Sequence, residues 1–148
     1  MLPLFTAERP DDDGPARAIA QARAYAAGGL DTATEIRTRF DRAAATGRLR
    51  SPAAAAAAKA AGQSAVVSHM GAHALGAAGY AITAATLADP DAFAREVDWQ
   101  LDRATPAMRK ALALLPRIGQ DRAGPLGPGL LSRGTTGRAI AALQDRLC

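Results

Sequence analysis

The sequence predicts an all-α fold, a compact bundle of six or seven helices with no sheet. Three observations carry that expectation. Hydrophobic residues make up 49% of the 148 positions, yet only 4% are aromatic and much of the remainder is alanine, the best helix former. β-branched residues are sparse, and no alternating run is long enough to make a strand pair. Capping residues, Pro at first helical positions and Gly at helix ends recur along the chain.

The elements follow from those signals in order. Asp12 or Asp13 can cap a helix beginning near Pro15, with Ile19, Ala22, Ala26 and Leu30 as its apolar stripe and Gly28-Gly29 as its end. A second helix is expected from Asp31 to Ala45, burying Ile36, Phe40 and Ala43 and stopping at Gly47. Ser51-Pro52 pairs a capping hydroxyl with proline at the first helical position, and the helical pattern then runs to Leu87. Its glycines make one straight helix doubtful, and the expected break lies near Gly71. Asp89-Pro90-Asp91 opens a helix with Phe93, Val97, Trp99 and Leu101. Thr105-Pro106 opens another with Met108, Leu112, Leu114 and Leu115, ended by Pro116. Glycine and proline crowd residues 119–134, which read as loop, and Thr135 or Thr136 then caps a last helix with Ile140, Leu143 and Leu147 inward. Residues 1–116 are thus expected to form the helical core. Residues 117–148 add a Gly/Pro loop and a C-terminal helix packed on the same domain.

Composition narrows the function classes. The net charge is +4 with almost all positive residues Arg, but it is uneven: residues 1–13 carry −3, 14–50 carry +4, and 51–88 contain only Lys59. This is no polybasic tract and has no interleaved aromatics, so nucleic acid is not the expected partner. Cys148 is the only cysteine, which excludes an intramolecular disulfide and fits a reducing cytoplasm. The N-terminus lacks the basic region of a secretory signal. The apolar run from Ala53 is broken by Lys59, Gln63 and two histidines, so no membrane span is expected. No phosphate loop, nucleophile elbow or paired-acid signature is present, and the chain is read as non-enzymatic.

The most informative stretch is Lys59 to Tyr80. His69 and His73 stand four residues apart and, on a helix, share one face, with Gln63 and Tyr80 on or beside that stripe. Two imidazoles, an amide and a phenol on an alanine-rich helix are costly unless a pocket or partners satisfy them. A divalent metal would find only His69 and His73 as candidate ligands, and no metal or cofactor is expected. Asp12, Arg17 and Arg23 open the first long helix. A local ion pair is the plain reading of Arg17, and an inward anion site the sharper one. Trp99 and Gln100 serve either as core anchor or as pocket wall.

Arg9 to Ile19, Ala60-Ala-Gly-Gln-Ser-Ala-Val-Val-Ser-His-Met70 with His73-Ala-Leu-Gly-Ala77, and Glu96-Val-Asp-Trp-Gln100 occur in an order similar to the immunity protein five-like family of small bacterial helical domains. The chain has Gly14-Pro15-Ala16-Arg17 where that family has an Arg-Pro-Arg-like segment. The resemblance implies a binding protein that neutralises a toxin without catalysis, with Asp12, Arg17, His69, His73 and Trp99 shaping a cleft. A basic chain implies a toxin that is not itself a strongly cationic nuclease. The alternative is a small-molecule or metal-binding helical protein, or an enzyme, with its pocket around His69 and His73. Alanine- and glycine-lined helices are also compatible with a homodimer.

Overall fold

A computed structural model describes residues 1–31, 49–122 and 124–147 of the chain. Among them are seven α-helices and no strand: α1 (Leu2–Thr6), α2 (Gly14–Ala26), α3 (Pro52–Ala65), α4 (His73–Ala88), α5 (Ala92–Arg103), α6 (Pro106–Ala113) and α7 (Gly134–Leu147), with a 3-10 turn at Leu130–Ser132. The all-α expectation is therefore met. The helix expected from Asp31 to Ala45 lies outside the described residues. No helix of the described residues is long and apolar enough to cross a membrane.

The start signals are realised where a hydroxyl precedes proline. Ser51 Oγ accepts the Ala54 amide at 3.3 Å, and Thr105 Oγ1 accepts the Met108 amide at 3.2 Å. At α2 the expected cap works differently. Asp12 Oδ1 takes the Gly14 amide at 3.0 Å, whereas Asp13, at the capping position, makes no side-chain cap bond. Gly28, at φ +75°, ends that helix in the left-handed conformation favoured by glycine. Two expectations shift. α6 ends at Ala113, before Pro116 is reached. The last helix begins at Gly134, so Thr135 and Thr136 fall inside its first turn. Thr136 is buried there, its hydroxyl 2.9 Å from that of Thr83 on α4. A tertiary partner thus takes the hydroxyl that a cap would have used.

The pair α3–α4 is the centre of the molecule. α1 and α2 lie against α3, α5 and α7 against α4, and α6 against α7. Around α4 the core is Leu75, Ile82, Val97, Leu101, Leu126, Leu131, Ile140 and Leu143. On the other side it is built mostly of alanine: Ala56, Ala57 and Ala58 surround Phe5, and Ala61 and Ala65 meet Ala18. Phe5 is 1% exposed. A row of methyl groups leaves a hollow that one aromatic ring can fill, and burying it contributes about 2 kcal/mol. Glu8 closes the same edge, its carboxylate accepting the amides of Arg50 and, at 2.9 Å, Ser51. Those two bonds hold the Glu8 carboxyl below its usual range.

Gly62 lies within α3 with nothing within 4 Å of the position a Cβ would take. Gly62→Ala is therefore expected to stabilise the protein by about 0.5–1 kcal/mol through backbone entropy, read as a higher urea midpoint at unchanged slope.

Candidate functional site

α3 and α4 each present a stripe of small residues at helical spacing, Ala57, Ala60, Ala61 and Ser64 on one and Ala74, Ala77, Ala78 and Ala81 on the other. These stripes floor an open cleft of ≈ 840 Å³. Ile19, Arg23 and Tyr25 of α2 line it, as do Glu96, Trp99 and Gln100 of α5 and residues 1–3 at the N-terminus. The floor is apolar because methyl groups cover the backbone, and it is a depression because nothing larger projects from them. Its volume is within the range of ligand sites.

The hydroxyl of Ser64 in the floor is taken up by Ala61 O at 2.7 Å, and the larger polar groups come from α2 and α5. Gln100 Nε2 donates to Glu96 Oε1 at 3.0 Å, one turn back on α5. Trp99 is 48% exposed, a large apolar surface left facing water. The Arg103 guanidinium lies 4.3 Å from its ring centroid, which restrains the indole by a cation–π contact. Arg23 is exposed, and among the described residues no carboxylate pairs with it.

Of the residues singled out from the sequence, the cleft brings together Arg23, Trp99 and Gln100. Asp12 lines a separate hollow formed by residues 8–13. Arg17 is exposed and pairs with Asp13 one turn away, the local ion pair that its spacing suggests. Tyr80 is half-buried on α4 beneath the Lys59 ammonium, 5.5 Å from the ring centroid, and burial pushes its phenol pKa up.

The histidines form a second place. α3 ends at Ala65, and the chain turns through residues 66–72 before His73 begins α4. His69 therefore stands on a turn and is exposed, rather than on a buried helix face as the spacing suggested. The two rings nevertheless remain neighbours, with centroids 6.4 Å apart. The turn keeps winding: the His69 amide bonds to Val66 O at 3.0 Å and the His73 amide to Met70 O at 3.0 Å. Such i→i+3 bonds preserve much of the helical periodicity without the helix. His73 is half-buried, and its Nδ1 lies 2.8 Å from Gln63 Oε1. An amide oxygen accepts, so Nδ1 carries the hydrogen and Nε2 holds the lone pair. Gln63 can reach because position 76 is glycine; a Cβ there would stand 2.4 Å from Gln63 Oε1. Neither histidine nor Gln63 lines the large cleft.

Burial, and secondarily the neighbouring His69, lowers the His73 pKa from the ordinary 6.5. The folded ring then resists a proton that the unfolded chain accepts. Stability is complete above the unfolded value and falls as pH drops through it. Acidification from about pH 7.5 to about pH 5.5 is expected to lower the melting temperature, and His73→Gln to flatten that slope. Equal slopes in the two proteins would contradict the assignment. Glu8 and Asp89, both held low by backbone amides, act only at more acidic pH.

Some cleft residues escaped sequence reasoning, Ile19, Ser64 and Glu96 among them. Ser64 had a signal in the alanine stripe of α3, which reads equally well as close helix contact, whereas Ile19 read as core and Glu96 carried none.

Fold and cleft together define a small helical protein with an open, mostly apolar groove across its central helix pair. Residues 1–107 match the family model described as Imm-5 like putative immunity protein. The chain belongs to that family. Comparisons with curated proteins and with solved structures return no match.

Proposed function

We propose that this protein is an immunity-type protein of the cytoplasm that neutralises a toxin by binding it, without catalysis, and that the cleft receives an apolar segment of that partner. One coincidence carries the reading. Every residue lining the cleft falls between Met1 and Gln100, within the family match over residues 1–107, while the tail beyond contributes none. The groove is thus built entirely from the part of the chain that defines the family.

The physical chemistry suits capture of a protein segment. A preformed apolar floor needs no reorganisation to bind, and a half-exposed tryptophan at its rim is the residue type that most often dominates an interface. Arg23, with no carboxylate partner among the described residues, offers orientation to a chain carrying an acid near its apolar residues. The net charge of +4 fits a target that is neutral or acidic at the contact face.

Co-expression with toxin candidates encoded beside its gene tests the proposal. The expected result is restored growth together with a stable complex that survives size exclusion. Failure of every neighbouring candidate to be neutralised or to co-purify would contradict it.

A further inference from the structure

We propose that the turn joining α3 and α4 is a transition-metal site, with His69 and His73 as its two protein ligands and a divalent copper, nickel or zinc ion as its occupant. The site needs no partner protein, and its histidines and Gln63 do not line the cleft, although Val67 and Ser68 of the same turn do.

Two observations support it. The first is proximity. With metal–nitrogen bonds of about 2.0–2.1 Å, an ion stands about 3.2 Å from the centre of each imidazole it binds, so two rings sharing it at tetrahedral angles lie about 5 Å apart. The observed centroid separation is 6.4 Å. His69 must therefore close by about 1 Å, a side-chain adjustment open to an exposed residue on a turn.

The second is direction. Gln63 Oε1 occupies Nδ1 of His73, leaving Nε2 as the only nitrogen with a free lone pair. Gln63 Oε1 lies 2.4 Å from where a Cβ at position 76 would stand, so Gly76 leaves room for the amide in this position. A carbonyl that fixes the tautomer and orientation of a histidine is the usual outer support of a metal ligand.

The ligand number is limited to these two side chains. Among the described residues no group of three or more His, Cys, Asp or Glu side chains converges. The site thus has two protein ligands, with water in the remaining positions. Imidazole suits copper, nickel and zinc, and the general order of divalent affinities places copper first.

The test uses tag-free protein carrying Cys148→Ser, so that the terminal thiol does not compete. Titration with copper(II) chloride and zinc chloride by calorimetry is expected to give one saturable equivalent, tighter for copper. The copper electron paramagnetic resonance spectrum should carry hyperfine splitting from two imidazole nitrogens. His69→Ala, at an exposed turn position, should leave the circular dichroism unchanged and weaken both metals at least tenfold. Gln63→Leu should weaken them by about tenfold to a hundredfold, while Gln63→Glu, which keeps an acceptor for Nδ1, retains binding. Absence of a saturable copper equivalent, or an affinity indifferent to His69→Ala, would overturn the site. Equal affinity in Gln63→Leu would overturn the positioning role of Gln63.

Discussion

Gly137→Ala is expected to destabilise the protein by about 3 kcal/mol, a loss of roughly 6–12 °C in melting temperature for a chain of this length. Gly137 lies in the first turn of α7, where its amide donates to Arg133 O at 3.0 Å. A Cβ there would stand 2.4 Å from both the carbonyl carbon and the oxygen of Ser132. Those are backbone atoms and cannot swing aside, so the start of α7 has to move. Moving it disturbs the Thr136–Thr83 contact and Ile140, which is fully buried against α4. Gly79→Ala provides the contrast. Its Cβ would come within 2.7 Å of Ile140 Cγ1, a side-chain and not a backbone atom, and a better helix former partly offsets the crowding. Its expected loss is about 1 kcal/mol. Equilibrium urea unfolding of the two variants separates backbone from side-chain collision, and a Gly137→Ala protein as stable as wild type would refute the packing described for α7.

Trp99→Ala is expected to weaken partner binding by about 2 kcal/mol, close to thirtyfold in Kd, while leaving the fold almost as stable as before. The indole is 48% exposed, so little of its surface is invested in the core. Its ring is already held by Arg103, so less freedom is lost when a partner covers it. Calorimetry with the co-purified partner, alongside thermal melts of the free variant, measures both quantities. A large drop in melting temperature with unchanged affinity would make Trp99 a stability residue instead.

Local chemistry explains which parts of this molecule could be read from its sequence. Ser51-Pro52 and Thr105-Pro106 were legible because a cap and a proline act within one turn, and both hydroxyls make the expected bonds. α1 was not legible. Five residues starting with a proline in the first turn carry no periodicity, and Phe5 is buried only because distant alanines on α3 leave room for it. Thr136 escaped for the same reason, its hydroxyl being claimed by Thr83 from a helix more than fifty residues away in sequence.

The site shows the same division. Spacing brought His69 and His73 together, and they are neighbours, but the chain leaves the helix between them and turns His69 to solvent. Periodicity locates side chains around an axis; it does not show whether the axis continues. The alanine stripes of α3 and α4 posed the converse difficulty. Small residues at i, i+3 and i+4 permit either a closely apposed helix or an open groove, and only the positions of α2 and α5 decide between them.

Trp99 is the sole tryptophan, which allows a direct measurement at the cleft. Protein labelled with 5-fluorotryptophan gives one fluorine resonance, from a ring on the cleft rim. Titration with the cognate toxin should shift or broaden that resonance saturably, at the stoichiometry of the neutralised complex, and Arg23→Glu should raise the concentration required. A resonance that stays unmoved while toxin is bound and neutralised would place the interface elsewhere and contradict the cleft as the binding surface.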